Sequence, residues 1–293
     1  MMIDLFLNYL RNECNRSMCT VELYGSILRQ FEAYFSEKDC QLSWTSIDGD
    51  IIRDWMELQM DKGKSAATVN LYLSAVRSFF RFALSRNLVE KDPAHAICGP
   101  RKSKPLPMFL RESEMENLLS EERWDDSFNC TRARTIILLF YECGLRLAEL
   151  IALNDSDIDF RVNQLKVTGK RDKQRIVPFG EELGQELMNY IEIRDKELER
   201  QDEAFFVNNK GVRIGRGQVY HIIRKHLSEV TTMKKRSPHV LRHTFATNMM
   251  NHGAGLESIK LLLGHESLNT TEVYTHTTFE QLKRVYNNAH PRA

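Results

Sequence analysis

Long apolar runs are missing from this chain, and so are the motifs that most often announce a nucleotide or a metal. No stretch approaches the ~18 consecutive apolar residues of a membrane span. There is no GxxxxGK[ST] loop to cradle a nucleotide phosphate. His239 and His243 have the HxxxH spacing of a zinc-protease helix, but Val240 stands where that motif has glutamate, so the general base is absent and no metal or other cofactor is expected. Cysteine is sparse: Cys14, Cys19, Cys40, Cys98, Cys130 and Cys143 form no CxxC pair and read as reduced thiols in packed surroundings. The first twenty residues carry no basic region followed by an apolar core, so a cytoplasmic protein is expected and not a secreted one. A length of 293 residues is enough for two domains.

Net charge is nearly missing too, at +1, which taken alone argues against a polyanionic partner. Its distribution argues the other way. Between Lys210 and His243 nine Lys or Arg face one acid, Glu229, and between Arg161 and Pro178 six face Asp172. The acids gather instead from Glu181 to Glu203. A phosphate backbone responds to local charge and not to the total.

The periodicity divides the chain in two. Apolar stripes at helical spacing run through Ile3–Leu10, Leu23–Phe35, Ile51–Met60 and Val69–Ala83, with Thr45-Ser-Ile-Asp48 reading as a capping box for the third. These four amphipathic helices make a first domain, 1–90, with no strand signal. Such bundles also clamp DNA, and Lys62, Lys64, Arg77 and Arg81 are its candidate phosphate contacts. Lys91-Asp-Pro93 and Gly99-Pro-Arg-Lys-Ser-Lys-Pro-Leu-Pro107 then break the periodicity, and 91–108 reads as a linker.

The second domain, 109–293, opens with a helix near 113–120 and a nearly all-apolar helix over 131–141 that must be buried. Gly144 suits the left-handed residue that ends it. Arg146 then falls at the start of the next helix, beside free N–H groups where anions bind. Gln164–Thr168 and Gln174–Phe179 alternate as a hairpin around a polar tip that carries Lys170, Arg171 and Lys173. Ala204–Val207 reads as a further short strand. Gly217–Ser228 reads as a helix that offers Arg224 and Lys225 to a nucleic-acid groove. The expected fold class is therefore mainly α with a small β-sheet.

The stretch Ser237-Pro-His-Val-Leu-Arg-His-Thr-Phe-Ala-Thr247 carries the chemistry. Pro238 suits a helix start, so His239 and Arg242 share one face. Leu263-Gly-His-Glu266 adds His265, and Tyr274 follows. An arginine fork grips phosphate oxygens, a histidine moves a proton near neutrality, and a tyrosine hydroxyl can become a covalent nucleophile. Together they are the parts for attack on a phosphodiester.

Gly144-Leu-Arg146, Gly169-Lys170, His239-Val-Leu-Arg242, Leu263-Gly-His265 and Tyr274, in this order and spacing, resemble the tyrosine recombinase (phage integrase) family, most of all its bacterial Xer group. The resemblance spans the whole chain. It implies a SAM-like core-binding bundle followed by an α/β catalytic domain whose C-terminal segment docks on a neighbouring subunit. It implies that Arg146 and Arg242 hold the scissile phosphate, Tyr274 attacks it, His239 takes the tyrosine proton, Lys170 protonates the leaving 5′ oxygen, His265 binds a phosphate oxygen, and Glu149 supports the local geometry. Neither metal nor ATP is implied. The implied partners are double-stranded DNA with a specific core site, further subunits in a homo- or hetero-tetramer, a second Xer recombinase and a septal DNA translocase. Two departures stand out: Arg111 occupies a position where a serine cap is usual, and Asn248-Met-Met250 replaces His-Leu-Leu on a face expected to pack. Three other readings stay open: a mobile-element integrase, a type IB topoisomerase, and a DNA-binding regulator without catalysis.

Overall fold

The computed structural model describes residues 1–102, 108–169, 173–264 and 276–292, with side chains of the last segment from 281 onward. The chain forms two compact units, Met1–Pro105 and Leu106–Ala293.

The first unit holds four helices, α1 (Met2–Asn12), α2 (Met18–Lys38), α3 (Gly49–Asp61) and α4 (Ala66–Ser85). Ser17 and Ser65 cap α2 and α4 by accepting the N–H groups of Thr20 and Thr68. The cap of α3 is Asp48 and not Thr45: its carboxylate accepts from the Asp50 and Ile51 N–H groups at 2.9 and 3.0 Å. A charged acceptor that satisfies two orphan donors outcompetes a hydroxyl one turn earlier. The interior is aromatic, with Phe6, Phe31, Trp55, Phe79 and Phe80 fully buried and Phe6 meeting Phe79 edge-on at 5.6 Å.

Part of the expected linker belongs to this core. Ala94 and Ile97 are buried in it, the Arg77 guanidinium donates to both their carbonyls, and Asn70 donates to the Pro100 carbonyl. Gly99 passes so close to Asn70 that an added Cβ would lie 2.3 Å from its amide oxygen. Two isolated apolar residues make no periodic stripe, which is why this docking leaves no sequence signal.

In the second unit, α5 (Glu112–Leu119) and α6 (Phe128–Cys143) precede α7 (Leu147–Ala152). An antiparallel sheet follows, β1 (Ile158–Asp159), β2 (Gln164–Thr168) and β3 (Gln174–Pro178), in the order β1-β2-β3 with Leu165 opposite Val177. Then come α8 (Glu181–Glu197), α9 (Arg216–Val230), α10 (Pro238–Asn251), α11 (Leu256–Leu263) and α12 (His276–Ala289). Helix α6 is buried on nearly every face and packs against α8, α9 and α10. Arg111 does not leave α5 uncapped, because Glu114 reaches back to accept its N–H at 2.8 Å. Ala204–Val207 is buried but forms only isolated bridges, Asn154 to Ala204 and Val207 to Arg213, and not a strand. Its apolar run reflects burial, which strand and coil share. Asn248 is buried on the Tyr141 hydroxyl at 3.0 Å and Met249 is buried, while Met250 faces solvent. No helix among the described residues is long and apolar enough to cross a membrane.

Helix α12, expected to dock on a neighbouring subunit, packs here on its own chain. Leu282, Tyr286 and Ala289 cover Phe245, Met249, Leu262 and Leu263 of α10 and α11. Tyr286 also lies against Glu142, a carboxyl that is fully buried in α6. The Tyr286 hydroxyl and the Gly180 backbone sit beside that carboxyl without closing a hydrogen bond of good geometry. Burial, with the charge of Glu182 in addition, pushes Glu142 up to about 8. The folded chain therefore binds this proton more tightly than the unfolded chain does. Stability is highest below the ordinary value of 4.5 and falls as pH rises through about 8. Glu142→Gln is expected to match wild type at about pH 5 and to exceed it by about 2–4 kcal/mol at about pH 9 in chemical denaturation. Equal pH slopes for the two proteins would refute the buried protonated carboxyl.

Candidate active site

Two helix ends set the site. Helix α6 stops at Gly144, whose φ of 56° is left-handed and where an added Cβ would lie 2.6 Å from Phe245 and 2.8 Å from Leu263. Only glycine meets both conditions. The chain then turns through buried Leu145 into Arg146, which caps α7, and the Arg146 N–H donates to Glu149 Oε2 at 2.7 Å. Helix α11 ends in the same way at Gly264, with φ 65°. Its last carbonyls are the negative end of a helix dipole and have no partner within the helix.

Three guanidinium groups meet those carbonyls. Arg175 on β3 donates from Nε to the Leu262 carbonyl at 2.9 Å, Arg242 on α10 donates to the Leu263 carbonyl at 2.7 Å, and Arg146 donates to the Gly264 carbonyl at 2.8 Å. Arg242 also donates to the Gly144 carbonyl, which ties the ends of α6 and α11 together. All three surround one carboxylate, Glu149. Arg175 forks onto it at 2.8 and 2.9 Å, Arg146 adds one bond at 2.8 Å, and Arg242 lies 4.0 Å away.

The electrostatics follow. Burial alone would raise the Glu149 pKa, but the hydrogen bonds and charge of Arg175, joined by Arg146, outweigh it and hold the group at about 2. Burial, then the charge of Arg146, pushes Arg242 down to about 10, opposed by Glu149, and it stays charged at neutral pH. Among the described residues, one negative and three positive charges gather here, an excess of positive charge suited to an anion. Arg146 is the most open of the three, its side chain one-third exposed at 33% against 7% for Arg175.

His239 lies one turn before Arg242 on α10 and is exposed. Packing around the ring, then the charges of Lys235, His243 and Arg242, lowers its pKa, so the imidazole is neutral and can accept a proton. The hairpin stem closes beside the cluster: the Gly169 N–H donates to the Lys173 carbonyl at 2.8 Å, and an added Cβ on Gly169 would lie 3.6 Å from Glu149 Oε1. Lys170, Arg171, His265 and Tyr274 lie outside the described residues. The structure thus brings together Arg146, Glu149 and Arg242, with His239 on the helix of Arg242.

Of the DNA candidates, Lys62, Lys64, Arg81, Lys173, Arg224 and Lys225 are exposed, whereas Arg77 is engaged by the carbonyls of Ala94 and Ile97. Arg213, part of the basic segment, is likewise engaged by Ile151, Leu153 and Asn154. Among the described residues no three His, Cys, Asp or Glu side chains are grouped to hold a metal. Arg175 is the residue that motif reading missed. Its signal was strand parity, since Arg175 and Val177 share the buried face of β3 while Ile176 points outward.

Comparison with known proteins identifies the family. Residues 108–281 match the phage integrase family and residues 3–87 match the phage integrase N-terminal SAM-like domain. Tyrosine recombinase XerC of Chlorobaculum tepidum is 36% identical, with 98% of this chain and 94% of that protein covered. Tyrosine recombinase XerD of Oceanobacillus iheyensis is 35% identical, with 99% and 98% covered. The integrase of transposon Tn1549, solved with transposon right-end DNA, shares the fold at a TM-score of 0.74 and 20% identity, covering 97% of this chain and 98% of that one. The XerH recombinase bound to palindromic difH substrate does so at 0.71 and 22%, covering 97% and 93%. The chain belongs to the phage integrase family and is a tyrosine site-specific recombinase.

Glu149 makes a direct prediction. Its depressed pKa contributes stability that is present above the ordinary value of 4.5 and lost as pH falls toward 2. Glu149→Gln is expected to cost about 3 kcal/mol at neutral pH, because it strands buried guanidinium charge. The deficit relative to wild type should shrink below about pH 4.5. A deficit independent of pH in equilibrium unfolding would contradict the charged Glu149.

Proposed function

We propose that this recombinase cleaves and rejoins duplex DNA at a specific core site through a 3′-phosphotyrosine link and a Holliday junction. The observation that carries the reading is the convergence of Arg146 and Arg242, from separate elements, on one pair of adjacent carbonyls beside Glu149. Their paired positive charge is suited to the non-bridging oxygens of a phosphate and to the charge that grows on them during attack. In the proposed step the Tyr274 oxygen bonds to phosphorus, the bond from phosphorus to O5′ breaks, His239 receives the tyrosine proton, and Lys170 supplies one to O5′. His265 hydrogen-bonds a phosphate oxygen. The covalent link conserves the phosphodiester energy, so the reverse step rejoins strands without ATP.

The biological reading we favour is chromosome-dimer resolution in the cytoplasm, by a tetramer that includes a second Xer-type recombinase and answers to a septal DNA translocase. XerC and XerD relatives, 35–36% identical across nearly the whole chain, support it. In that assembly α12 would leave its own chain and cover a neighbour with the same apolar face. Integration or excision of a mobile element is the second reading, supported by the fold shared with the Tn1549 integrase.

The test uses a duplex that the protein itself selects from a random-sequence pool, nicked to trap the cleaved strand. Wild type is expected to form a denaturation-resistant adduct in EDTA, and Tyr274→Phe none. An adduct from Tyr274→Phe would overturn the mechanism. The pH dependence supplies a second check. With His239 as base, the acid limb of adduct formation should have its midpoint below the ordinary histidine value of 6.5, and His239→Gln should remove that limb. An unchanged limb in His239→Gln would remove His239 from that role.

A further inference from the structure

The Arg175 side chain is buried. All the donors on its guanidinium that are seen to bond are turned inward, to both oxygens of Glu149 and to the Leu262 carbonyl. It is more buried than Arg146. A buried ion pair of this kind is weak grounds for stability in itself, since desolvation offsets most of the attraction. Its placement suggests something more specific.

We infer that Arg175 is a positioning residue for the phosphate grip, an inference that rests on the phosphodiester reading above. By occupying both Glu149 oxygens in a planar fork, it limits the Arg146 guanidinium to one bond with that carboxylate, beside the bond from the Arg146 backbone N–H. It also keeps Arg242 outside hydrogen-bond distance of the carboxylate, at 4.0 Å. Without Arg175, a buried carboxylate left with the Arg146 bonds alone would draw the Arg146 and Arg242 guanidinium groups closer, because among the described residues they are the nearest remaining cations. The two phosphate-gripping arginines would then be neutralised by their own support.

The same side chain holds the end of α11. Its Nε bond to Leu262 joins that helix to β3, and the chain crosses it so closely that a Cβ on Gly264 would lie 3.1 Å from Arg175 Cδ. The next residue in sequence is His265. Arg175 therefore acts on two sides, by satisfying Glu149 and by locating the carbonyls that Arg146 and Arg242 share. A lysine at this position has one point charge and cannot fork onto the carboxylate while also reaching Leu262.

The experiment compares wild type, Arg175→Gln, Arg175→Lys and the double variant Glu149→Gln/Arg175→Gln, each first checked for a cooperative melt. Single-turnover adduct formation on the selected nicked duplex, at saturating protein, is measured beside the Kd for the same duplex. Arg175→Gln is expected to slow adduct formation by about tenfold to hundredfold while Kd moves by less than about threefold. Adding Glu149→Gln should recover part of the lost rate, because it removes the carboxylate that sequesters the other two arginines. Arg175→Lys should stay slower than wild type, and it decides the question in place of Arg175→Gln if the latter does not fold. Wild-type rates in the single variants, equal losses in rate and binding, or a further loss in the double variant would each overturn the assignment.

A second readout bypasses DNA. Binding of inorganic phosphate, followed by calorimetry, is expected to weaken in Arg175→Gln and to recover in the double variant. If wild type forms no adduct, the recombinase mechanism fails. Phosphate binding then decides Arg175 alone, and equal affinity in wild type and Arg175→Gln rejects it.

Discussion

One buried carboxylate holds the catalytic unit in order. Glu149 sits among Arg146, Arg175 and Arg242, and each of those guanidinium groups also caps a carbonyl at the end of α11. Charge of this density can be buried only if nearly every donor has an acceptor. Helix ends supply them, because their last carbonyls lack partners and carry the negative end of the helix dipole. Among the described residues the arrangement holds an excess of positive charge in fixed positions, the kind of preorganisation that electrostatic stabilisation of an anion requires.

Backbone geometry makes this packing possible. Gly144 and Gly264 let two helices stop abruptly with their carbonyl ends close together, and Arg242 bridges them. Phe245 and Leu263 press on Gly144 from α10 and α11, so the site is continuous with the apolar cluster that α12 covers. The C-terminal helix and the arginine cluster therefore share packing partners. A change in what covers Leu262 and Leu263 acts on the helix end to which all three arginines are tied.

Basic residues here have two uses that composition cannot separate. Arg194 is fully buried, forked onto Asp155 at 2.8 and 3.0 Å, and Arg77, Arg132 and Arg213 donate to backbone carbonyls. Such arginines stitch loops to helices, since five donors on one plane can satisfy several carbonyls at once. Lys62, Lys64, Arg81, Arg224 and Lys225 remain exposed. The local excess of base that pointed to a polyanion is thus partly internal framework.

The amino-acid sequence alone determined the helices, the hairpin and the residue types of the site. Helical and strand periods are local properties, and Gly144, Arg146, Glu149, Pro238, His239 and Arg242 fall at element ends where spacing already places them. Tertiary structure decided what depends on contacts between distant segments. It took Ala94 and Ile97 into the first core, left Ala204–Val207 without a strand partner, and engaged Arg77 with backbone. It folded α12 onto its own chain and turned Arg175 inward to Glu149 and α11. Period and capping are written within a few residues of each position, whereas the partner of a buried charge is chosen by whichever elements the fold brings within about 3 Å of it.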